Sequence, residues 1–218
     1  MLKTEEHPFN FNIGRKTIST NTRKLFVGTF PAFEVVNLLN PRLYFYYGSN
    51  DNKFWDIVRE VFPSNFEFTE VSIRQFLSSN NLGVVDIIEK CYRKGNRSSS
   101  DEDLTIIEQL DIIDLLQTTN CRDIYTTSKL VTDLTKKQIK PIANKYAEHT
   151  HWVNEFKYEI LDFCLSETGK QFQIRIFTLY SPSDNGLRGI QKGLNNRQHE
   201  IKAEEYRKNQ YKELLNVR

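Results

Sequence analysis

The segment FYYGSNDNKFW brings aromatic side chains, a glycine and side-chain amides together in a short stretch. Tyr47 stands beside Gly48 and Ser49 in this segment. An aromatic ring on an accessible loop, with amides nearby, can stack on a nucleic-acid base and read its edge. Phe54 and Trp55 open an amphipathic pattern and are predicted to be core residues. Tyr47 is therefore the predicted stacking residue.

Two further segments have the composition of functional loops. GTFP, residues 28–31, follows an apolar run; its glycine permits close backbone approach and its proline ends strand pairing. YSPSDNG, residues 180–186, is a turn whose hydroxyls and backbone amides can hold a phosphate. For each segment the alternative is an ordinary connection between secondary-structure elements.

The metal-ligating residue types are scattered. Cys91, Cys121 and Cys164 are far apart and lack a C-x-x-C spacing. His149 and His151 lie on a segment predicted to be extended, without a third ligand nearby in sequence. The expectation is reduced, mostly buried thiols and neither a metal nor an organic cofactor.

These segments need a scaffold, and the apolar patterning predicts an α/β fold. Residues 25–27 form a short apolar run typical of a buried parallel strand. The predicted strands are 25–27, 83–88, 124–126, 158–165 and 172–179, with a hairpin turn at 166–169. The predicted helices are 53–62, 69–81, 104–118, 129–146 and 188–215. Asp51 or Asn52 is the predicted N-cap of the first helix, and Thr69 is that of the second. Residues 91–103 are predicted to form a polar loop.

The alternation of strands and helices predicts a three-layer sandwich with a mostly parallel, four-stranded central sheet flanked by helices. The length fits one domain, 1–218, with an N-terminal arm (1–22) beside the first strand and a charged C-terminal helix (188–218). In such sheets the ligand lies beyond the carboxyl ends of the strands. Residues 28–31, 91–101 and 180–186 all leave strands there, which predicts a site where they converge.

The charge and hydropathy of the sequence exclude few classes of function. The net charge of +2 does not by itself indicate a nucleic-acid binder. Residues 188–218 carry eight Lys/Arg and four Glu, which fits either a solvated helix face or a phosphate-facing surface. The sequence has neither an apolar run of about 20 residues nor a secretory signal, so we expect an intracellular, cytoplasmic protein without a membrane partner.

The segments LFVGTFP, FYYGSNDNKFWDIV, LGVVDIIEKCYRKGNRSSSDEDL, IYTTSKLV and LYSPSDN together resemble the uracil-DNA glycosylase superfamily. Within it the sequence is most similar to the hypoxanthine (deoxyinosine)-DNA glycosylase-like branch, as is the HPF at residues 7–9. The resemblance implies a monomeric enzyme that hydrolyses the N-glycosidic bond of a flipped, deaminated base such as hypoxanthine, uracil or xanthine. DNA containing a damaged base would be the partner.

The resemblance also implies site residues. Tyr47 matches the ring that stacks on the flipped base, and Asn52 matches the catalytic asparagine. The implied substrate-binding residues are Gly28, Thr29, Phe30, Pro31, Tyr47, Gly48, Ser49, Ser128, Ser181, Pro182 and Ser183, and the predicted DNA-backbone contacts are Lys129, Arg188 and Lys192.

Four positions in three segments depart from the superfamily pattern. Phe30 stands where many members have an Asp or Asn that positions water, Ser49-Asn50 replaces His-Pro, and Tyr180 replaces the first proline of the last loop. Catalysis then depends on Asn52, whose amide can orient water or hydrogen-bond the base but is not a strong base. Two alternatives stay open: a catalytically silent nucleic-acid-binding module of the same fold, and an α/β domain that binds a small phosphate ligand.

Overall fold

The computed structural model describes residues 4–10, 17–62, 66–94, 100–196 and 201–217. The central element is a six-stranded sheet of order β3-β2-β6-β9-β8-β7. Its strands are β2 (Lys24–Gly28), β3 (Leu82–Asp86), β6 (Asp123–Thr126), β7 (Ala143–Val153), β8 (Phe156–Leu165) and β9 (Gln171–Thr178). The pairs β3–β2, β2–β6 and β6–β9 are parallel, whereas β8 is antiparallel to both β9 and β7.

The predicted four-stranded, mostly parallel sheet is therefore wrong in strand number and orientation. β7 is not among the predicted strands, and its first residues, 143–146, fall in the predicted helix 129–146. β7 is an edge strand exposed along most of its length, so it lacks the alternation of apolar and polar residues that marks a half-buried strand. His149 and His151 lie on it in extended conformation, as predicted.

A second, antiparallel sheet of order β1-β4-β5 covers part of one face. Its strands are β1 (Thr4–Glu6), β4 (Ile88–Arg93) and β5 (Leu104–Gln109). Two predictions fail here: the helix 104–118 begins as β5, and the polar loop 91–103 begins as part of β4. In the described part of the N-terminal arm, β1 pairs with β4 of this second sheet.

Helices complete the two outer layers. They are α1 (Phe33–Val36), α2 (Phe54–Val61), α3 (Glu70–Ser79), α4 (Ile112–Thr118), α5 (Lys129–Ile139), α6 (Asp184–Asn196) and α7 (Ala203–Leu215). Phe26 packs in one core with α2, α3, α6 and α7, while Leu25 and Val27 pack in a second core with α4, α5 and β4. The alternation along β2 thus separates two cores, and the predicted three-layer arrangement is confirmed.

Local signals place several elements correctly. The Thr69 hydroxyl accepts a hydrogen bond from the Ser72 backbone N–H at 3.2 Å and caps α3, as predicted. Gly169 has a φ of +66° in the hairpin turn between β8 and β9. The C-terminal segment departs from prediction, because it contains two helices and α7 buries Arg207, Tyr211 and Leu214. No helix in the described ranges is both long and apolar enough to span a bilayer.

Candidate active site

A cavity of about 370 Å³ lies at the carboxyl ends of the parallel strands. It is lined by the loop after β2, the loop before α2, the end of β3, the segment before β5, and the loops after β6 and β9. Ligand sites of α/β sheets are expected at this edge. The three loops predicted to converge do so, although of the 91–101 loop only Ser100 and Asp101 are described in the lining.

Most of the predicted site residues meet in this cavity. The lining includes Thr29, Phe30, Pro31, Tyr47, Gly48, Ser49, Asn52, Ser128, Ser181, Pro182 and Ser183. Gly28, Lys129, Arg188 and Lys192 are not part of the lining.

Gly28 ends β2 under the cavity and is needed for close approach of neighbouring side chains. A Cβ at this position would lie 2.0 Å from Asp86 Oδ1 and 2.7 Å from the Tyr47 hydroxyl oxygen. Real Cβ atoms do not make contacts this short, so Asp86 and Tyr47 can occupy their positions only because residue 28 has no side chain.

Tyr47 is half-buried, and its ring stacks on that of the fully buried Phe54 with centroids 4.0 Å apart. Its φ of +55° is uncommon for a residue with a bulky side chain, and such conformations cluster at functional sites. The hydroxyl oxygen is buried near Thr127 and has no hydrogen-bond partner among the described residues. Burial, followed by the charge of Asp86, raises the pKa of Tyr47 well above its ordinary value.

Asn52 lies where two loops are joined. It forms an isolated backbone bridge with Ser183, and the backbone N–H of Lys53 donates to the Pro182 carbonyl at 3.0 Å. The Asn52 Oδ1 atom accepts a hydrogen bond from the Phe54 backbone N–H at 2.9 Å, at the start of α2. The N-cap of α2 is Lys53 and not the predicted Asp51 or Asn52, but Asn52 still satisfies the first backbone N–H of the helix from the position before the N-cap, and it borders the cavity.

The loop after β9 is held from behind by α7. Arg207 is fully buried, and its Nη1 atom donates to the carbonyl oxygens of Ser181 and Ser183 at 3.1 and 3.0 Å. The Tyr211 hydroxyl donates to the Tyr180 carbonyl at 3.0 Å. Burial lowers the pKa of the Arg207 guanidinium. The sequence analysis missed this support, because a Lys- and Arg-rich tail is typical of a solvated helix.

Two carboxylates in the cavity were also missed. Asp86 ends β3, is only 4 % exposed, and accepts a hydrogen bond from His7 Nε2 at 2.9 Å. His7 Nδ1 accepts from the backbone N–H groups of Phe9 and Asn10, so the neutral ring carries its proton on Nε2. The signal that could have found this site is an Asp directly after the apolar run at the end of a buried strand, where ligands bind.

Asp101 is the second missed carboxylate, in a short 3₁₀ turn at Asp101–Asp103. The Thr29 hydroxyl donates to its Oδ2 atom at 3.0 Å. Burial raises the pKa of Asp101, and the charge of Asp86 acts in the same direction. Perturbed carboxyl groups in a cleft are candidates for catalysis. This residue stands in a Ser-rich segment without periodicity, which gave no sign of its position.

The predicted phosphate-contacting side chains lie outside the cavity. Lys129 follows the cavity residue Ser128, is 82 % exposed, and forms an ion pair with Asp133. Arg188 and Lys192 are exposed and four residues apart on α6. All three side chains are available to a polyanion that approaches the cavity.

The three cysteines are not part of the cavity lining. Cys91 and Cys121 are buried and Cys164 is partly exposed, all as free thiols. Burial raises the pKa of Cys91 to about 11 and that of Cys121 to about 12. Within the described part of the chain, no three His, Cys, Asp or Glu side chains are grouped so as to hold a metal ion.

Comparison with known proteins gives one structural similarity. No protein-family model and no curated protein matches the sequence. The chain is similar to the solution NMR structure of a Methanosarcina acetivorans protein described as a "putative Uracil DNA glycosylase", with a TM-score of 0.53 and 17% identity. The match covers 92% of this chain and 95% of the other. At this identity the similarity extends to the fold alone, which is a uracil-DNA-glycosylase-like α/β fold.

Proposed function

We propose that this protein is a monofunctional DNA glycosylase that hydrolyses the N-glycosidic bond of a base flipped into the cavity. The observation that carries the proposal is the half-buried ring of Tyr47, backed by Phe54, where the loops of a uracil-DNA-glycosylase-like fold converge. Because Phe54 covers one face of that ring, the exposed part is available to stack on a base. Deaminated bases are the first candidates, on the resemblance of the sequence segments.

The chemistry requires stabilisation of a positive sugar and of a departing base. As the C1′–N bond breaks, the sugar resembles an oxocarbenium ion, and the carboxylates of Asp86 and Asp101 supply negative charge in the cavity. Water adds to C1′, and its proton passes to Asp101, the more exposed of the two carboxylates. Asp101 would thus take over the role of the Asp or Asn that many superfamily members have in the first loop, where this sequence has Phe30.

Asn52 acts in this proposal as a hydrogen-bond donor. Its Oδ1 atom already accepts from the Phe54 backbone N–H, whereas its Nδ2 atom makes no hydrogen bond to any described residue. An amide nitrogen can donate to an acceptor on the leaving base but cannot remove a proton. Backbone N–H groups of the 28–31 loop are the other proposed donors.

Charge favours DNA over a small phosphate ligand. The cavity lining contains acidic side chains and, within the described ranges, no Lys or Arg, so a phosphate inside it would be repelled. Lys129, Arg188 and Lys192 are exposed outside the lining, where the phosphates on either side of a flipped nucleotide would lie. A catalytically silent DNA-binding module has the same charge pattern and is distinguished only by activity.

The test uses labelled duplexes that carry deoxyinosine, deoxyuridine, deoxyxanthosine or an N-alkylated base, followed by alkaline cleavage of abasic sites. Excision of any of these bases at stoichiometric protein is the expected result. DNA binding without cleavage of any substrate would identify the silent module. Tyr47→Ala should weaken lesion binding by about 1–3 kcal/mol, because the stacking platform for the base is removed.

Asn52→Asp is the sharper variant, because the carboxylate keeps the acceptor for the Phe54 backbone N–H, removes the donor and adds a negative charge that opposes charge on the departing base. We expect unchanged stability and a loss of excision of about 10²-fold or more, the effect of removing one hydrogen-bond donor to a developing charge. Asn52→Ala removes both the donor and the acceptor for the Phe54 backbone N–H, and should also lower stability by about 1 kcal/mol. Wild-type or higher activity in Asn52→Asp would instead assign Asn52 a role in activating water.

A further inference from the structure

If the proposed function holds, the negative charge of the cavity indicates which class of damaged base it prefers. Six acidic side chains line it: Glu34, Asp51, Asp86, Asp101, Glu102 and Asp184. No Lys, Arg or His side chain of the described ranges joins them in the lining. The balance of the whole chain is nearly neutral, with 30 basic and 28 acidic residues, so the cavity departs strongly from the average surface.

The two most enclosed carboxylates lack a cationic partner inside the cavity. Asp86 is hydrogen-bonded by the neutral His7 ring, and Asp101 by the Thr29 hydroxyl. The Arg93 guanidinium, whose charge acts on Asp101, is not part of the lining; it is paired with Glu5 at 3.0 Å and donates to the Pro31 carbonyl at 2.9 Å. A positive ligand between these carboxylates would relieve the cost of their desolvation.

Aromatic groups point to the same kind of ligand independently of the carboxylates. The half-buried rings of Tyr47 and Phe30 both line the cavity. Ring faces attract cations, and a flat cation gains from stacking as well. The buried Tyr47 hydroxyl, which has no partner among the described residues, offers a polar contact to a bound ligand at the cavity floor. A planar cation satisfies the rings, the hydroxyl and the carboxylates together.

We infer that the base preferred by this cavity is a positively charged, N-alkylated purine such as 7-methylguanine. When its C1′–N bond breaks, the bonding electron pair moves to the base nitrogen, and the cationic base departs as a neutral molecule. Water forms the new bond to C1′ and releases one proton, which Asp101 accepts. The products are an abasic site, the neutral alkylated base and one proton.

Leaving-group charge explains the preference. Hypoxanthine or uracil develops negative charge as it departs, and six carboxylates around the cavity oppose that charge. An alkylated purine loses positive charge and develops none that the carboxylates repel. The same carboxylates stabilise the oxocarbenium character of the sugar for both classes of substrate. The difference between the two classes therefore arises at the base.

The experiment compares single-turnover excision from duplexes identical except for 7-methylguanine, hypoxanthine or uracil, each corrected for its uncatalysed release. We expect the rate acceleration for 7-methylguanine to exceed that for hypoxanthine by at least tenfold. Asp101→Asn and the double variant Glu102→Gln/Asp184→Asn, at two exposed lining positions, should each reduce that ratio severalfold. Glu167→Gln, an exposed acid in the β8–β9 turn at the opposite end of the sheet, should leave it unchanged.

The outcomes separate the inference from the proposed function. Excision of hypoxanthine or uracil with no acceleration for 7-methylguanine would overturn the inference and leave the glycosylase proposal intact. An advantage for 7-methylguanine that persists in all the acidic-residue variants would also overturn it, because charge would not be its source. Excision of none of these bases would overturn the proposed function, and the inference with it.

Discussion

The carboxyl group of Asp101 is held where its charge lowers the stability of the fold. Burial and the neighbouring Asp86 raise its pKa, while the hydroxyls of Thr29 and Ser128 and the charge of Arg93 oppose the rise only in part. The folded protein therefore binds more protons at this site than the unfolded chain does. The stability that the protonated form contributes is present below the ordinary Asp pKa and is lost as pH rises through the raised one.

Asp101→Asn should accordingly stabilise the protein at pH 7 and much less near pH 4. The melting temperature measured from pH 4 to 8 checks this, with about 2–4 °C expected for each 1 kcal/mol in a chain of this size. The control is Glu102→Gln, which removes the exposed neighbouring charge and should change little. Equal shifts for Asp101→Asn at both ends of the pH range would contradict the direction of the pKa shift.

Gly28 gives a second prediction at this scale. Gly28→Ala places a methyl group against Asp86 and Tyr47 and should destabilise the protein by about 1–3 kcal/mol, as overpacking does. Gly189→Ala is the matched control, since a Cβ there meets nothing within 4 Å in the middle of α6 and should stabilise by about 1 kcal/mol. Urea unfolding measures both, and equal signs for the two variants would refute the steric argument.

Helix α7 positions the cavity from outside it. The Arg207 Nη1 atom reaches two carbonyls of the loop after β9, whereas its Nε and Nη2 atoms have no hydrogen-bond partner among the described residues. A buried guanidinium with unmet donors contributes little to stability, because desolvation offsets its attractions. We therefore assign Arg207 to holding the loop in position.

Arg207→Met keeps the volume of the side chain and removes the two hydrogen bonds to the loop. We expect nearly unchanged stability, faster amide hydrogen exchange in residues 181–186, and excision slowed by about tenfold or more, since small displacements of binding groups have large kinetic effects. Lys212→Met, on the last turn of the same helix, serves as the control. Unaltered exchange and excision in Arg207→Met would show that the loop holds its shape unaided.

Helices, strands and turns could be predicted from the sequence where a local residue pattern matches the burial of the element in the fold. The apolar run 25–27, the Thr69 cap and the turn at Gly169 carried their own signals. β7 could not be found in this way, because a strand exposed on both faces has no apolar period. The burial of α7 depends on the tertiary contacts of Arg207, which a charged sequence conceals.

The same limit applies to the site. The loop residues could be predicted because strand ends, glycines and turn residues mark where a parallel sheet opens. Asp86 could have been singled out as an Asp at the end of a buried strand, whereas Asp101 stands in a Ser-rich segment without periodicity and gave no signal. His7, the hydrogen-bond partner of Asp86, lies far away in sequence, on the N-terminal arm.

At the scale of the whole molecule, the cavity differs in charge from the helix surfaces beside it. Acidic side chains line the cavity, and Lys129, Arg188 and Lys192 are exposed outside its lining on two helices that begin near it. The net charge of +2 conceals this division. In the proposed function, this division would keep the phosphates of DNA outside the cavity while a base enters.

This division predicts a salt-dependent affinity for DNA that the three exposed cations control. Each side chain that no longer neutralises a phosphate should reduce the slope of log K against log salt by about 0.9 on duplex DNA. The triple variant Lys129→Ala/Arg188→Ala/Lys192→Ala should thus bind more weakly at low salt and depend less on salt, which fluorescence anisotropy measures. Lys145→Ala, on β7 near the opposite end of the sheet, should leave affinity and slope unchanged. Equal slopes for the wild type and the triple variant would place the DNA on another face of the molecule.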